Sequence, residues 1–371
     1  MVNIVIHRIP DGAGPDAEPL LRAFSALEYT LEQHRLGNTD LCTTFEGLKA
    51  AAADTAYQKV NRWVALPAGV DPRTASPDDA AGMLATEYAL ADNTDLVMVW
   101  IGVRPDLRGQ GIARQLEQVA RADVRESSRT VVQVWTDHEL YSGADALQPR
   151  TGAGAVDPDS VDVHYLRARG FAFEQAEIHN MLQIPPAAQR TEWLAGIAAQ
   201  RAAAAAFAGP DYAVVQWTGA TPPGEVEVYA ALRARMSVDI PSAALAFEEE
   251  AWDAARVQHL DELREKSGRY HALTAVRHVP TGHLVAYSEL VWQAAQPEGV
   301  WQFDTFVRGE HRGHRLGMLA KAANLELLLR RNPAAARIHT WNAGENSYML
   351  AINEQLGYRP CAVAGGWQRK V

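Results

Sequence analysis

Arg108-Gly109-Gln110-Gly111-Ile112-Ala113 follows the apolar run 96–103 and opens an amphipathic stretch. A strand that turns straight into a helix presents successive backbone N–H groups without partners. Those donors and the positive end of the helix dipole suit an anion. Small residues let a phosphate approach the backbone. Arg312-Gly313-His314-Arg315-Leu316-Gly317 stands in the same context after the run 300–307. There Arg315 replaces the middle glycine, which keeps the backbone donors and adds a side chain able to pair with a phosphate. One such hexapeptide is more often a turn that binds nothing. Two copies in matching surroundings point to two phosphate loops.

The surroundings do match. Each copy is an apolar strand, the Gly/Arg turn, an amphipathic helix and a second strand that reaches a tryptophan, Trp135 or Trp341. Arg315 lies 204 positions after Gly111, and Trp341 lies 206 after Trp135. A near-constant offset means duplication. Each unit closes on a Gly-aromatic pair, Gly170-Phe171 and Gly357-Tyr358. The first copy carries about 19 extra residues near 139–158, whose composition reads as a mobile loop. Upstream, each half fits a strand, helices and a hairpin, with helices expected near 19–34, 43–57, 225–236 and 248–268. Glu248, Glu249 and Glu250 are expected in the solvated first turn of that last helix. The division is 1–183, a helical or linker segment 184–209, and 210–371. With 371 residues and 47% hydrophobic composition, two α/β domains can each bury a core.

The paired loops resemble the pyrophosphate loop of GNAT acetyltransferases, R/Q-x-x-G-x-G/A. The resemblance covers both halves, and the double arrangement is similar to that of mycothiol synthases. The second half also resembles a run recurrent in bacterial GNAT proteins: Asp304-Thr305-Phe306-Val307, His311 to Gly317, Lys321, Asn324, Thr340-Trp341-Asn342, Asn346, Met349, Asn353 and Leu356-Gly357-Tyr358.

The resemblance implies two tandem domains, each a twisted mixed sheet flanked by helices with a splayed strand pair for acyl-CoA. Acetyl-CoA would lie between strands 300–307 and 336–342, on main-chain groups near Phe306 and Val307, with Asn342 and Asn346 along the cofactor arm. By the same correspondence Val103 and the run 108–113 would line the N-terminal site. An amine would attack the thioester directly, so neither Cys42 nor Cys361 is needed as a nucleophile. A proton must leave the amine. Asp304 is the first candidate base, or else a carboxylate that bonds the neighbouring backbone. Glu289 is the second, though strand alternation favours an ordinary outward-facing residue there. Many relatives place a tyrosine, the general acid to the thiolate, where this chain has Asn353 and Leu166. Tyr348 and Tyr165 lie close by but out of register, and Tyr348 or solvent is the candidate acid. The C-terminal half, with its carboxylate and asparagines, is expected to catalyse. The N-terminal half is expected to be structural or to bind CoA without turnover.

Composition narrows the partners. The net charge of −10 argues against nucleic acid and anionic membranes and suits a cationic small-molecule amine. No run of 18 apolar residues or leader-like start is present, so a cytoplasmic protein, monomer or homodimer, is expected. His311 and His314 lack a third ligand nearby, so no metal is expected. Trp135 and Trp341 read as core. Two rival readings stay open: a catalytically degenerate acyl-CoA sensor or scaffold, and an enzyme of the same fold using another acyl donor or making an ester.

Overall fold

The computed structural model describes residues 3–53, 55–239 and 243–371. Both halves follow one order: strand, two helices, three strands, helix, strand, helix, strand. The first comprises β1 (Ile4–Arg8), α1 (Glu18–Leu36), α2 (Phe45–Ala50), β2 (Gln58–Pro67), β3 (Gly82–Ala89), β4 (Leu96–Val103), α3 (Ile112–Ser127), β5 (Val131–His138), α4 (Val161–Arg167) and β6 (Ala172–Gln183). Helix α5 (Ala187–Ala208) leads to the second. That half comprises β7 (Tyr212–Thr218), α6 (Val226–Asp239), α7 (Ala254–Lys266), β8 (Arg269–His278), β9 (Leu284–Gln293), β10 (Gln296–Val307), α8 (Leu316–Arg331), β11 (Arg337–Ala343), α9 (Ser347–Gln355) and β12 (Arg359–Lys370).

The described strands form one mixed sheet of twelve, in the order β1-β2-β3-β4-β5-β12-β6-β11-β10-β9-β8-β7. The mixed sheet flanked by helices is as the sequence implies, but the two copies' sheets run into one another. Strand β6 lies between β12 and β11, both from the C-terminal half. Strand β12 in turn lies between β5 and β6, both from the N-terminal half. Each half's last strand is thus hydrogen-bonded into the other half. A lone half would leave that strand without its ladder partners and its backbone groups exposed.

Helices α3 and α8 cover one face of the sheet. Helices α1, α2, α6 and α7 cover the other. Gly82 faces Ile112 and Leu116 of α3, while the next strand's Gly102 faces Leu31 of α1, in keeping with alternating side-chain direction. The mean helix would expose one side, but α8 is buried nearly all round, from Leu316 through Leu325. It is sandwiched between the sheet and α5, whose Ile197 and Ala204 join the same core. Among the described residues no helix is long and apolar enough to cross a membrane.

Two helix expectations change. The helix near 43–57 is only Phe45–Ala50, capped by Thr44 Oγ1, which accepts from Gly47 N at 3.2 Å. The tract Glu248–Glu250 is not a first helical turn. Helix α7 starts at Ala254 behind an Asp253 cap. Upstream, Glu248 N donates to Asn93 Oδ1 at 2.7 Å and Ala251 N to Asp92 Oδ2 at 3.3 Å. These cross-half bonds take the amides that a helical turn would have oriented along its own axis.

Candidate cofactor split and active site

Both Gly/Arg loops turn through left-handed backbone. Gly109 and Gly111 have φ of 76° and 84°, and Gly313 and Arg315 have 86° and 57°. Gly111 and Arg315 are the equivalent N-caps of α3 and α8, and neither helix start carries a side-chain cap. The first-turn amides of both helices, among them those of Ile112, Ala113, Leu316 and Gly317, therefore remain as an anion cradle. Arginine in left-handed backbone costs about 1 kcal/mol relative to glycine, and here the guanidinium stacks 4.5 Å over Phe207. Gly317 does not face the cradle. A Cβ there would meet Ile352 at 3.1 Å and Val307 at 3.7 Å, so it is a packing glycine. Arg312 Nε donates to Val307 O at 3.3 Å, tying the loop to the strand before it.

Beside the C-terminal loop, a cavity of about 310 Å³ opens between α5, α8 and α9, lined by Arg315, Met318, Tyr348 and Ile352 among others. Tyr348 is 54% exposed there. Uncapped amides, an arginine and an adjoining cavity fit a phosphorylated ligand with a long arm.

The strands leading to and from each loop separate. Strands β10 and β11 are paired in parallel only over Gly299–Trp301 and Arg337–His339. Strands β4 and β5 are paired only over Leu96–Met98 and Val131–Gln133. Beyond these apices the arms stay with their outer neighbours, so two V-shaped splits result. Alternate amides on each arm, turned away from the outer neighbour, face the gap. Phe306 and Val307 end the β10 arm, Val103 ends the β4 arm, and Asn342 sits on the β11 arm.

The two splits differ in the register of their first arms. Strand β10 slips register against β9 between Gln302 and Thr305, which puts a bulge at Phe303 and Asp304. Strand β4 pairs with β3 without a slip, from Gly82↔Val103 to Tyr88↔Val97. A bulge re-aims side chains and frees backbone groups from the ladder. Gln302 Nε2 stitches this one, donating to Ser288 Oγ at 3.2 Å and Glu289 O at 2.7 Å.

Asp304 points toward α6. Its Oδ2 accepts from Tyr287 Oη at 3.0 Å and lies 3.5 Å from Arg233 Nη2, with 22% of its side chain exposed. Burial raises its pKa, and the nearby Arg233 charge only partly opposes this. Glu289 has the opposite character. It is fully buried, paired with Arg264 at 2.6 Å, His271 at 2.9 Å and Arg233 at 3.4 Å. Burial raises its pKa too, but Arg264, His271 and Arg233 outweigh it and hold the carboxyl at about 2. The alternation argument fails at Glu289 because β9 is buried on both faces along its whole length. The residue anchors Arg233 and is poorly placed to take a proton from solvent-borne substrate.

The asparagines are engaged locally. Asn346 caps α9, its Oδ1 accepting from Met349 N at 3.3 Å. Asn353 Nδ2 donates to Asn342 Oδ1 at 2.6 Å, tying α9 to the β11 arm at the position where the sequence resemblance implied a tyrosine. Tyr165 donates to Glu117 at 2.6 Å and so packs on α3. Trp135 and Trp341 are half-buried on the face shared with α1 and α6, not core. The sequence reading missed Tyr287 and Arg233, which hold Asp304. Nothing in the local pattern of α6 marks Arg233, because its partners come from β9 and β10.

Glu177, beside the end of β11 and opposite Ala343, is raised to about 7, by burial first and then by the charge of Glu345. A carboxyl titrating near 4.5 in the unfolded chain and near 7 in the fold adds stability below pH 4.5 that is lost as pH rises through 7. Glu177→Gln should therefore raise stability by about 2 kcal/mol at pH 8. At pH 5 it should change little. Thermal unfolding at the two pH values checks this, and an equal shift at both would contradict it.

No protein-family model matches the chain, and no curated protein matches it in sequence. Solved structures do match in fold. A tandem GNAT protein from the clavulanic acid biosynthesis pathway superposes with TM-score 0.70 at 23% identity, over 99% of this chain and 98% of its own. A GCN5-related N-acetyltransferase from Sphaerobacter thermophilus gives 0.57 at 13%, over 99% and 95%. A putative acetyltransferase from Pyrococcus horikoshii gives 0.50 at 10%, over 100% and 90%.

Proposed function

We propose, from this tandem GNAT fold, that the chain is an N-acyltransferase. It moves an acyl group, acetyl in the first instance, from a CoA thioester to a primary amine of a small molecule. The C-terminal half performs the transfer. The observation that carries this reading is the pairing of an uncapped phosphate loop with a bulged split arm that bears a partly open carboxylate.

When bound, the CoA thioester supplies the activated acyl carbon. The amides of residues 312–317 and Arg315 bind its phosphates, and amides of the Phe306–Val307 arm orient its chain. Asp304 faces α6, while Tyr348 faces the cavity under α8, so a proton acceptor and a proton donor stand on opposite faces of the sheet. The amine lone pair forms the C–N bond as the C–S bond breaks. Asp304 takes the amine proton, directly or through water, and Tyr348 or solvent returns one to the departing thiolate. Arg233, held by Glu289, limits how far Asp304 can rise. An acidic chain of net charge −10 favours a cationic acceptor.

The rival reading, an acyl-CoA sensor without turnover, draws on Asn353, which cannot replace a tyrosine as an acid. Incubation with acetyl-CoA and a panel of amines, with thiol release followed over time, separates the two. Thiol release that depends on an amine supports transfer. Acetyl-CoA binding without release under any amine favours the sensor. Succinyl and long-chain donors in the same assay address the acyl group.

A further inference from the structure

The loop 37–44, between α1 and α2 of the N-terminal half, reaches across the molecule to the apex of the C-terminal split. Asp40 lies there with 6% of its side chain exposed. Its carboxylate accepts from Arg337 through Nε and through Nη2, the latter at 2.7 Å, and from His339 Nε2 at 3.0 Å. Arg337 and His339 belong to the three residues of β11 that pair with β10. On β10 the first of those partners is Gly299, and a Cβ there would sit 2.6 Å from the Cβ of Asp40. Glycine is required because the loop presses directly on the strand. The same loop holds β9 as well: Gln293 Nε2 donates to Cys42 O at 2.6 Å, and Thr44 N donates to Gln293 Oε1 at 2.8 Å.

From the apex the connection runs up the β11 arm. With its Nε2 proton on Asp40, His339 presents Nδ1 as an acceptor to His179 Nε2 at 3.1 Å. The His179 ring stacks on Trp341, centroids 4.3 Å apart. The buried line Asp40–His339–His179, ending on the half-buried Trp341, thus joins the apex to the arm that borders the gap.

The other half returns the contact with different partners. In the segment 243–253, Ala246 N donates to Gln368 Oε1 at 2.7 Å, which also accepts from Gln133 Nε2 at 3.0 Å. Gln133 stands in the last pair of the N-terminal apex. Glu248 N meets Asn93, just past β3, as Thr44 N meets Gln293 at the end of β9. Each half braces the other's split: the C-terminal brace sets Asp40 against an arginine and a histidine of the paired strand itself, whereas the mirrored brace sets Asp92 against Arg256 of α7, off the strand pair.

We propose that Asp40, supplied by the N-terminal half, is a positioning residue for the C-terminal split: it clips β10 and β11 at their apex and so sets the opening that receives the acyl-CoA arm. The proposal rests on the reading that acyl-CoA occupies that split. It also gives the N-terminal half a task in catalysis that needs no turnover of its own.

The test uses the full chain with Asp40→Asn, which keeps the shape and removes the charge, and His339→Gln as a second break in the same clip. Acetyl-CoA affinity is measured by calorimetry and KM and kcat by thiol release, beside thermal unfolding. Loss of a charge-assisted bond predicts a Kd and KM for acetyl-CoA about tenfold higher in both variants, with kcat changed far less. Asn93→Ala, in the mirrored brace, should leave both values unchanged. A lower melting temperature with unaltered Kd and KM would show that the clip is structural glue and overturn the proposal. Should Asp40→Asn not fold, His339→Gln alone decides between these results. Arg315→Glu tests the underlying reading apart from the clip: acetyl transfer that survives it with an unaltered KM for acetyl-CoA places the cofactor elsewhere and removes both the functional reading and the proposal.

Discussion

Turnover should fall by about 10²- to 10⁴-fold when Asp304 is replaced by Asn, with the acetyl-CoA dissociation constant little changed. The substitution keeps an oxygen to accept from Tyr287 Oη, which now lies 3.0 Å away. It also leaves Arg233 paired with Glu289 at 3.4 Å, so the local network survives. What disappears is a carboxylate able to accept a proton. Because burial raises the Asp304 pKa, the protonated and inactive form persists to higher pH than for an ordinary aspartate. Wild-type kcat should therefore rise with pH through that raised pKa, and the variant should lack this limb. Near-normal turnover in the variant would remove Asp304 as the base. Glu289→Gln makes a contrasting control. It breaks a buried charge cluster and should cost about 3–5 kcal/mol of folding stability. An unfolding scan, rather than kinetics, is where its effect should first show.

Charge reversal at the two equivalent loop positions should divide the labour between the halves. Arg315→Glu adds no new backbone strain, since a side chain already occupies left-handed backbone there with φ of 57°. It replaces a phosphate partner by a repelling carboxylate, and losing about 3 kcal/mol of binding raises the dissociation constant about 100-fold. Gly111→Glu has open space around its Cβ but accepts about 1 kcal/mol of strain at its φ of 84°. Acetyl transfer should collapse in Arg315→Glu and persist in Gly111→Glu, both checked for folding. The reverse pattern would move catalysis to the N-terminal half. These positions serve better than Gly317, where any bulk strikes Ile352 before it meets a ligand.

The repeat, the loops and the element order were legible in the sequence because they are local. A strand–turn–helix unit writes its period, its glycines and its small residues into consecutive positions, and the second copy confirms the first. Asp304 could be singled out for the same reason, since it sits on the strand that feeds its loop. The chemistry of that residue could not. Its proton affinity depends on burial in the assembled fold, opposed by Arg233 from α6 and Tyr287 from β9, and burial at Glu289 reversed the expectation from strand alternation. The helix expected at Glu248–Glu250 failed because residues of the other half, Asp92 and Asn93, bind its backbone. The largest departure, the exchange of β6 and β12 that merges two sheets into one, leaves no trace in periodicity. A strand's own residues determine which faces it can bury, and β6 and β12 have suitable faces for either half. Which neighbour supplies the hydrogen bonds is settled by the register of the assembled sheet. Asp40 shows the same limit. In the sequence it is one aspartate in a turn; in the fold its meaning comes from Arg337 and His339, about 300 positions away and brought to it only by tertiary packing.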